Sequence, residues 1–565
     1  MCGILGIFNN IESQNYEHFF MKGKSRGPDN SIFIRETNNI TLGFHRLSIN
    51  GINEESNQPL RMDNITLICN GEIYNYNELY NSLNIDPHTE SDCEIIIHLY
   101  KKYGIDHTLQ ILDGVFAFIL IDNENSCAYV ARDPYGVRPL FLFEYEDSFM
   151  FLSELKMIPT NMLDEFTIYD KINLQQFTPG HYIKMQISND KYTIEYKQKY
   201  TMTPFSFSIN NCDTDYSINI ILQNINHYFR NAVKKRCMNT DREYCCLLSG
   251  GLDSSLVCAI ANTYVKTKLK TFSIGLKDSV DILNARKVAK YLDTDHHEII
   301  VSEDNFFNTI PEVIKNIESY DTTTVRASVG NYLVSKYIQE NTDCKVVLNG
   351  DGADELAGGY LYFSECEDPI EFDKECKRLL SNINYFDVLR SDKSISSNGL
   401  EARTPFLDRE FVQYYLSISP FIRCHRHNNH IEKYLIRLAF DNERILPTEV
   451  LWRRKEAFSD GVSGNTKSWT EIIQDKVKTI NITCNLRKYT HNIPLTDEQK
   501  YYRTIFESYY PNCGEVIPYF WMPKYINATD SSARTLPIYN HIKGNPVFIN
   551  NLKEEEPWDQ FDRVF

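Results

Sequence analysis

The sequence predicts an α/β chain of two domains: a layered β-sheet domain with helices over residues 1–205, and a doubly wound parallel-sheet domain over residues 206–540. Three observations lead there. Short apolar runs punctuated by Gly, Asn and Asp fill the first part, as strands joined by turns do. The polar stretch MTPFSFSINNCDTDYS, residues 202–217, then breaks the pattern as a linker would. Beyond it strands alternate with helical segments, the pattern of a parallel sheet covered on both faces.

In chain order, CGILGIF, NITLICNGEIYN, GVFAFILID, CAYVARD and FMFLSEL are the expected strands of the first domain, and SDCEIIIHLYKKYG its clearest helix. After the linker, Ile218, Ile221, Ile225, Phe229 and Val233 recur at three- and four-residue spacing, which predicts an amphipathic helix. YCCLLSGGLDSSLVCAIANTYV then reads as strand, glycine loop and helix. KTFSIGL and KVVLNGDGADE are further strands, with ARKVAKYLD and VGNYLVSKYIQE as helical segments between them. Ligands of such sheets bind beyond the carboxyl ends of the strands, where these Gly- and Asp-rich loops fall. Residues 541–565, with the run KEEEP, are expected to form a mobile acidic tail.

Composition narrows the function classes. Of 565 residues, 42% are hydrophobic and 24% charged, ordinary for a soluble globular protein. Lys and Arg number 59 against 76 Asp and Glu, a net charge of −17, which disfavours nucleic acid and anionic membranes as partners and leaves small-molecule substrates. The KKR at residues 234–236 is expected to be a solvated helix end. Fifteen cysteines lack the paired spacing of a zinc site or a disulfide scaffold, and Cys245 and Cys246 sit in an apolar run as core would. No signal peptide is expected, since polar NNIESQNYEH follows the first strand. No apolar stretch reaches the roughly 20 residues of a membrane helix. The NIT sequons at Asn39, Asn64 and Asn481 then read as chance matches, and the compartment as reducing and cytoplasmic.

Two motifs carry chemistry. Cys2 follows an initiator methionine whose removal the small cysteine side chain permits. A thiol and a free α-amine would then share one residue, and the amine, with an ordinary pKa of about 7.7–8.0, can serve the thiol as its base. The alternative is an ordinary cysteine in the first strand. The second motif is LLSGGLDSS, residues 247–255. Its glycines allow a phosphate to approach the backbone, Ser249 adds a hydroxyl, and the next helix presents its amino-terminal amides. It is not a Walker loop, because no Gly-Lys-Ser/Thr follows. Asp253 places a carboxylate where a magnesium ion bridges phosphates.

The second motif resembles the pyrophosphate loop of the ATP pyrophosphatase superfamily, and LNGDGADELAGGYLYF resembles that superfamily's third-strand loop. RGPD, FHRLSIN, CNGEIYN, ARDPYGVRPLF, YDTTTVRASVGNYL, LEARTPFLD, WRRKEAFSDG and WMPKYINATDSSARTL follow in order, and with them the chain resembles the glutamine-dependent asparagine synthetases of the eukaryotic type. The resemblance implies a stacked αββα amino-terminal-nucleophile (Ntn) glutaminase domain, an ATP pyrophosphatase-type synthetase domain, ATP and Mg2+ as requirements, and a homodimer. It implies Cys2 as nucleophile, with Asn70 and the Gly71 amide as oxyanion hole. Arg46, Leu47, Ser48, Ile49, Asn50, Asn70, Gly71, Glu72 and Asp92 would hold glutamine, Arg46 on its α-carboxylate and Glu72 with Asp92 on its α-ammonium. A surface ion pair for Arg46 and a helix cap for Asp92 are the plainer alternatives. Leu248, Ser249, Gly250, Gly251, Asp253, Ser254, Ile274, Asn349, Gly350 and Lys455 would bind ATP, and Asp253 and Asp354 the metal. Thr323 and Arg326 would lie near the activated aspartate, and Asp351 would be the acid needed to form the adenylate.

Two positions depart from the family pattern. Residues 349–355 read NGDGADE where SGEGSDE is usual, so Asp351 is shorter than glutamate by one methylene, about 1.5 Å of reach. Ser25 replaces a histidine often found before Arg-Gly-Pro-Asp. Sugar-phosphate and phosphoribosyl transferases with such a glutaminase lack SGGLDSS, and β-lactam-forming relatives commonly lack the cysteine. A glutamine-dependent amidase of another carboxylate and an inactive paralogue remain as alternatives.

Overall fold

Two six-stranded antiparallel sheets face each other in the amino-terminal part of the chain. The structure, a computed structural model, describes residues 1–10, 15–37, 39–164, 172–188, 191–201, 214–456, 458–464, 467–482 and 489–539. The expected tail, and residues 202–213 of the expected linker, lie outside the described residues; the rest of that linker, 214–217, instead opens the helix Thr214–Met238. In the first sheet the order is Ile172–Gln176, Phe141–Tyr145, Ser148–Leu152, Gly3–Phe8, Ile40–Arg46, Asn30–Thr37. In the second it is Lys191–Lys199, His181–Ser188, Cys127–Arg132, Gly114–Asp122, Ile65–Ile73, Leu60–Met62.

Side chains alternate across a strand, so each strand feeds two layers. On the opening strand Ile4 and Phe8 point between the sheets and pack with Ile68, Ala117, Ile119 and Ile121. A Cβ on Gly6, on the same side, would come within 2.4 Å of Ile119 Cδ1, so the sheets meet closely there. The outer face of the second sheet, with Leu67, Cys69, Phe116 and Phe118, packs on Ile95, Ile96 and Leu99 of the helix Ile95–Ile111. This is the helix expected from SDCEIIIHLYKKYG. Leu5, Ile7, Phe141 and Phe143, on the outer face of the first sheet, join a core with Phe20 and with Ile310, Ile314, Leu389 and Ile395, far along the chain. The second helical layer of the αββα sandwich is thus partly supplied by the carboxy-terminal domain.

That domain is built on a five-stranded parallel sheet in the order Asp295–Val301, Lys270–Leu276, Tyr244–Leu247, Val346–Leu348, Glu401–Arg403. The strand order reverses between Tyr244–Leu247 and Val346–Leu348. Two loops leave the carboxyl ends of those neighbours in opposite directions, and such a switch point is where doubly wound sheets form ligand clefts. Cys245 and Cys246 are fully buried, as their apolar run implies.

The helix Thr214–Met238 buries Ile218, Ile221, Ile225, Phe229 and Val233, as their spacing predicts. Its end corrects an expectation. In the KKR run Lys234 alone is exposed. Lys235 Nζ lies 2.6 Å from Asp113 and 3.0 Å from both Asp408 and Glu410, and Arg236, 1% exposed, pairs with Asp408 at 2.8 Å. The helix end is docked against acids from both domains, which a local reading of three basic residues has no means to see. Among the described residues no helix is long and apolar enough to cross a membrane.

Candidate functional site

The period-2 rule brings the first group of predicted residues together. Cys2 continues the inner face of the opening strand beyond Ile4, and Asn70 continues the inner face of the opposite sheet beyond Ile68; Ile4 and Ile68 share one core, against which Cys2 also packs. Burial raises the Cys2 thiol above its ordinary pKa. The Met1 amine, also buried, is pushed down to about 6. Asn70 is 0% exposed, and neither its Oδ1 nor its Nδ2 has a hydrogen-bond partner. An unmade bond of that kind costs about 1–3 kcal/mol, so the amide is held ready for a group from outside the chain. Gly71 admits no side chain, since a Cβ would approach Val115 O to 2.6 Å and Phe116 Cβ to 2.8 Å.

Asp29 of RGPD accepts the Ser48 N–H at 2.8 Å and so fixes the turn of FHRLSIN. Leu47 and Ile49 are buried, and Asn50 Nδ2 donates to Glu72 Oε2 at 2.6 Å. Arg46 is 6% exposed. Its guanidinium donates to Asn53 O at 2.9 Å, to Asn57 Oδ1 at 2.7 Å and to Gly51 O, with no carboxylate of the described residues at ion-pairing distance. That excludes the surface ion pair and leaves a buried cation that suits a free carboxylate. Glu72 and Asp92 carry the complementary sign, with Glu72 Oε2 3.3 Å from the Arg403 guanidinium. Burial, Glu401 and the mutual repulsion of the two raise Glu72 well above the carboxylate range, and burial raises Asp92 to about 6. Two neighbouring buried acids of this kind favour a cation from outside. Asp92 is not a cap: Ser91 caps that turn by accepting the Cys93 N–H at 3.3 Å, and Asp92 Oδ2 accepts the Ile73 N–H at 2.6 Å.

The second group gathers at the switch point, around a cleft of about 1310 Å³ of empty space including its mouth. Leu248, Ser249, Gly251, Asp253, Ser254, Ile274, Thr323, Asn349, Gly350, Asp351, Asp354 and Lys455 line it. Gly250 shapes the turn without lining the cleft: its φ is +72°, and a Cβ would meet Ala285 N at 2.4 Å. Ser249 Oγ and Ser254 Oγ close the loop at 3.0 Å, ahead of the helix Leu252–Ala261. Asn349 turns inward to Ser391 Oγ at 2.7 Å. Asp351 Oδ1 pairs with Arg390 at 3.0 Å, while its Oδ2 is buried without a partner and burial raises its pKa. Thr323 Oγ1 is likewise buried and unpartnered.

Asp253 and Asp354 converge on one cation. Lys433 Nζ lies 2.6 Å from each of them, and Lys455 Nζ 2.7 Å from Asp354 and 3.6 Å from Asp253. Against burial, which works the other way, the two ammonium groups hold Asp354 below the ordinary carboxylate range. Lys433 holds a left-handed backbone, φ +59°, at the start of the helix Tyr434–Asp441, a strain common at functional sites.

The glutamine amidotransferase domain model matches residues 1–201, and the asparagine synthase model residues 224–368 and 364–514. Glutamine-hydrolyzing asparagine synthetases of Gallus gallus, Rattus norvegicus and Homo sapiens are 41%, 42% and 41% identical, over 95% of this chain and 99% of each relative. The chain belongs to the glutamine-hydrolysing asparagine synthetase family.

One residue carried over from that family is not brought to the cleft. Arg326, 2% exposed, binds Glu498 at 2.8 and 2.6 Å and Asp530 at 2.7 and 2.8 Å, which uses both edges of its guanidinium. It ties the helix Thr322–Asn341 to the carboxy-terminal segment and does not line the cleft. Sequence reasoning missed Lys433, Arg390 and Asp281. Burial lifts the last to about 7 beside Arg453 in the cleft wall. None of the three lies in a motif, and the charges that define them come from distant segments. Between the two sites Arg26 Nε donates to Cys2 O at 2.9 Å, and its Nη1 binds Asp392 at 2.7 Å and Ser396 at 2.9 Å.

Proposed function

We propose that the chain makes L-asparagine from L-aspartate, ATP and glutamine, in a glutaminase domain ending near residue 205 and a synthetase domain from there to about residue 540. The two-site arrangement supports this reading: an unpaired buried amide facing the Cys2 end of a sandwich, and a switch-point cleft with paired carboxylates, in one chain. With Met1 removed, the α-amine passes to Cys2, and the burial that lowers the Met1 amine would keep the new amine neutral enough to take the thiol proton. Arg46 holds the glutamine carboxylate, and Glu72 and Asp92 its ammonium. Cys2 attacks the side-chain amide carbon, and Asn70 Nδ2 with the Gly71 N–H stabilises the oxyanion. Collapse releases ammonia and leaves a thioester for water to hydrolyse.

In the cleft the β-carboxylate of aspartate attacks the α-phosphate of ATP, releasing pyrophosphate and giving β-aspartyl-AMP. Ammonia carried through the interior then displaces AMP. Activation is needed because oxide is a poor leaving group and AMP a good one. The Ser249–Ser254 loop and the helix amides behind it receive the phosphates, and Lys455 balances the leaving charge. The donor set fits Mg2+: Asp253 and Asp354 offer hard oxygen ligands from converging loops, and a cation, Lys433, already sits between them. Mg2+ bound there would neutralise phosphate charge. A reducing, cytoplasmic setting suits a chain whose described cysteines are free thiols.

The test uses untagged protein with L-aspartate, L-glutamine and MgATP, following asparagine and pyrophosphate together. Equal, aspartate-dependent formation of both is expected. Glutamate without asparagine or pyrophosphate would mean a working glutaminase joined to a domain that acts on a different acid, and would overturn the reading.

A further inference from the structure

The turn before the helix Ile95–Ile111 gathers two imidazoles and a carboxylate that neither reaction uses. Glu94 is 2% exposed and His98, one helical turn on, is 8% exposed; the His88 side chain is 70% exposed. Glu94 Oε1 lies 3.0 Å from His98 Nε2 and 3.4 Å from His88 Nδ1. The two rings stack with centroids 5.9 Å apart and planes 14° from parallel. Among the described residues this is the group of three His, Cys, Asp or Glu side chains whose ligand atoms all fall within 4.8 Å of one another.

The spacing is that of a coordination shell. Bonds of about 2.0–2.1 Å from a tetrahedral metal to nitrogen and oxygen put neighbouring ligand atoms about 3.3 Å apart, so the two edges sharing Glu94 Oε1 already have metal-site length. The carboxylate is also aimed from behind: Oε1 accepts the His88 N–H at 2.8 Å and Oε2 the Thr89 N–H at 2.7 Å. Such outer hydrogen bonds fix the orientation of metal-binding carboxylates. The exposed edge of His88 leaves one side open to water, as a fourth ligand requires.

We propose that His88, Glu94 and His98 bind one divalent transition-metal ion of the zinc class, with water as the fourth ligand. The ion clips the turn at residues 84–94 to its helix. That turn also braces the glutamine end of the domain, because the Glu90 N–H donates to Ser56 Oγ at 3.1 Å and Ser56 in turn to Asn53, whose carbonyl receives Arg46.

The experiment takes the full-length chain, stripped with chelator and with Cys2 alkylated so that the nucleophile offers no ligand. Zinc chloride is titrated against a competing chromophoric chelator, in the parent and in His88→Phe. Phenylalanine keeps the stack on His98 but carries no ligand atom, and His88 is exposed, so the fold is kept. With magnesium chloride in excess at the Asp253–Asp354 site, one zinc ion per chain is expected in the parent, with affinity at least about tenfold weaker in His88→Phe. Cobalt(II) added to the parent should give the visible absorption of a tetrahedral site, absent from the variant. No zinc bound by the parent, or equal affinity in the two proteins, would overturn the proposal.

Discussion

Asn70 is fully buried with both amide atoms unpaired, and its value to the protein lies in what it meets during the reaction. A donor aimed at a developing oxyanion is worth about 10²–10³ in kcat. Asn70→Ala is therefore expected to lower glutamine hydrolysis by that factor with little change in KM, while synthesis from added ammonium continues. Asp92 makes a pH prediction. Burial raises its carboxyl to about 6, so it loses its charge as pH falls through that value and no longer attracts the glutamine ammonium. Glu401 presses in the same direction, and the Ile73 N–H and Arg403 oppose it. KM for glutamine should rise as pH drops below about 6, and Asp92→Asn should have a high KM that no longer varies across that range; steady-state assays from pH 5 to 8 decide it. Arg46 and Asp253 could be singled out because they stand in the motifs FHRLSIN and LLSGGLDSS, and Cys2 because of its place at the start of the chain. Lys433 could not, since its meaning comes from Asp253, 180 residues earlier in the chain.

At the scale of elements, the two loops of the parallel sheet depend on Lys433 to hold two buried acids together. Lys433→Met leaves Asp253 and Asp354 with Lys455 alone, and breaking a buried pair from one side costs about 3–5 kcal/mol. Denaturant melts should show a loss of that order without ligand, partly recovered with MgATP, which binds only the folded state. Lys433→Gly suits the positive φ yet should fail equally, which separates charge from backbone strain. The apolar run CGILGIF was readable as a strand and the three- and four-residue spacing from Ile218 to Val233 as the face of the helix Thr214–Met238, whereas polar strands such as Lys191–Lys199 were not. What periodicity does not encode is docking. Three basic residues look solvated until Asp113 and Asp408 arrive from other parts of the chain, and Arg326 looks available until Glu498 and Asp530 take it.

Over the whole molecule, Arg26 joins the Cys2 carbonyl to the carboxy-terminal domain through Asp392 and Ser396. Arg26→Ala should destabilise the protein by about 2 kcal/mol, because it removes buried charged hydrogen bonds, leaving Glu154 with Lys156 at 2.6 Å and Asp392 with Arg138 at 3.5 Å. It should also loosen coupling, so that assays find glutamate in excess over asparagine. The two-domain organisation was plain in the sequence, but the sharing of a core between the domains was not, because both faces of the opening strand read as apolar wherever their partners lie. That shared core sets an order of assembly. While the chain is being made, the sheet carrying Leu5, Ile7, Phe141 and Phe143 must wait for residues beyond Ile310 before its outer face is covered. A fragment ending at residue 201 would keep that face open to solvent. It should bind hydrophobic dyes and aggregate unless the remainder of the chain is supplied, so the strand that follows Cys2 settles into its final packing only after the carboxy-terminal half exists.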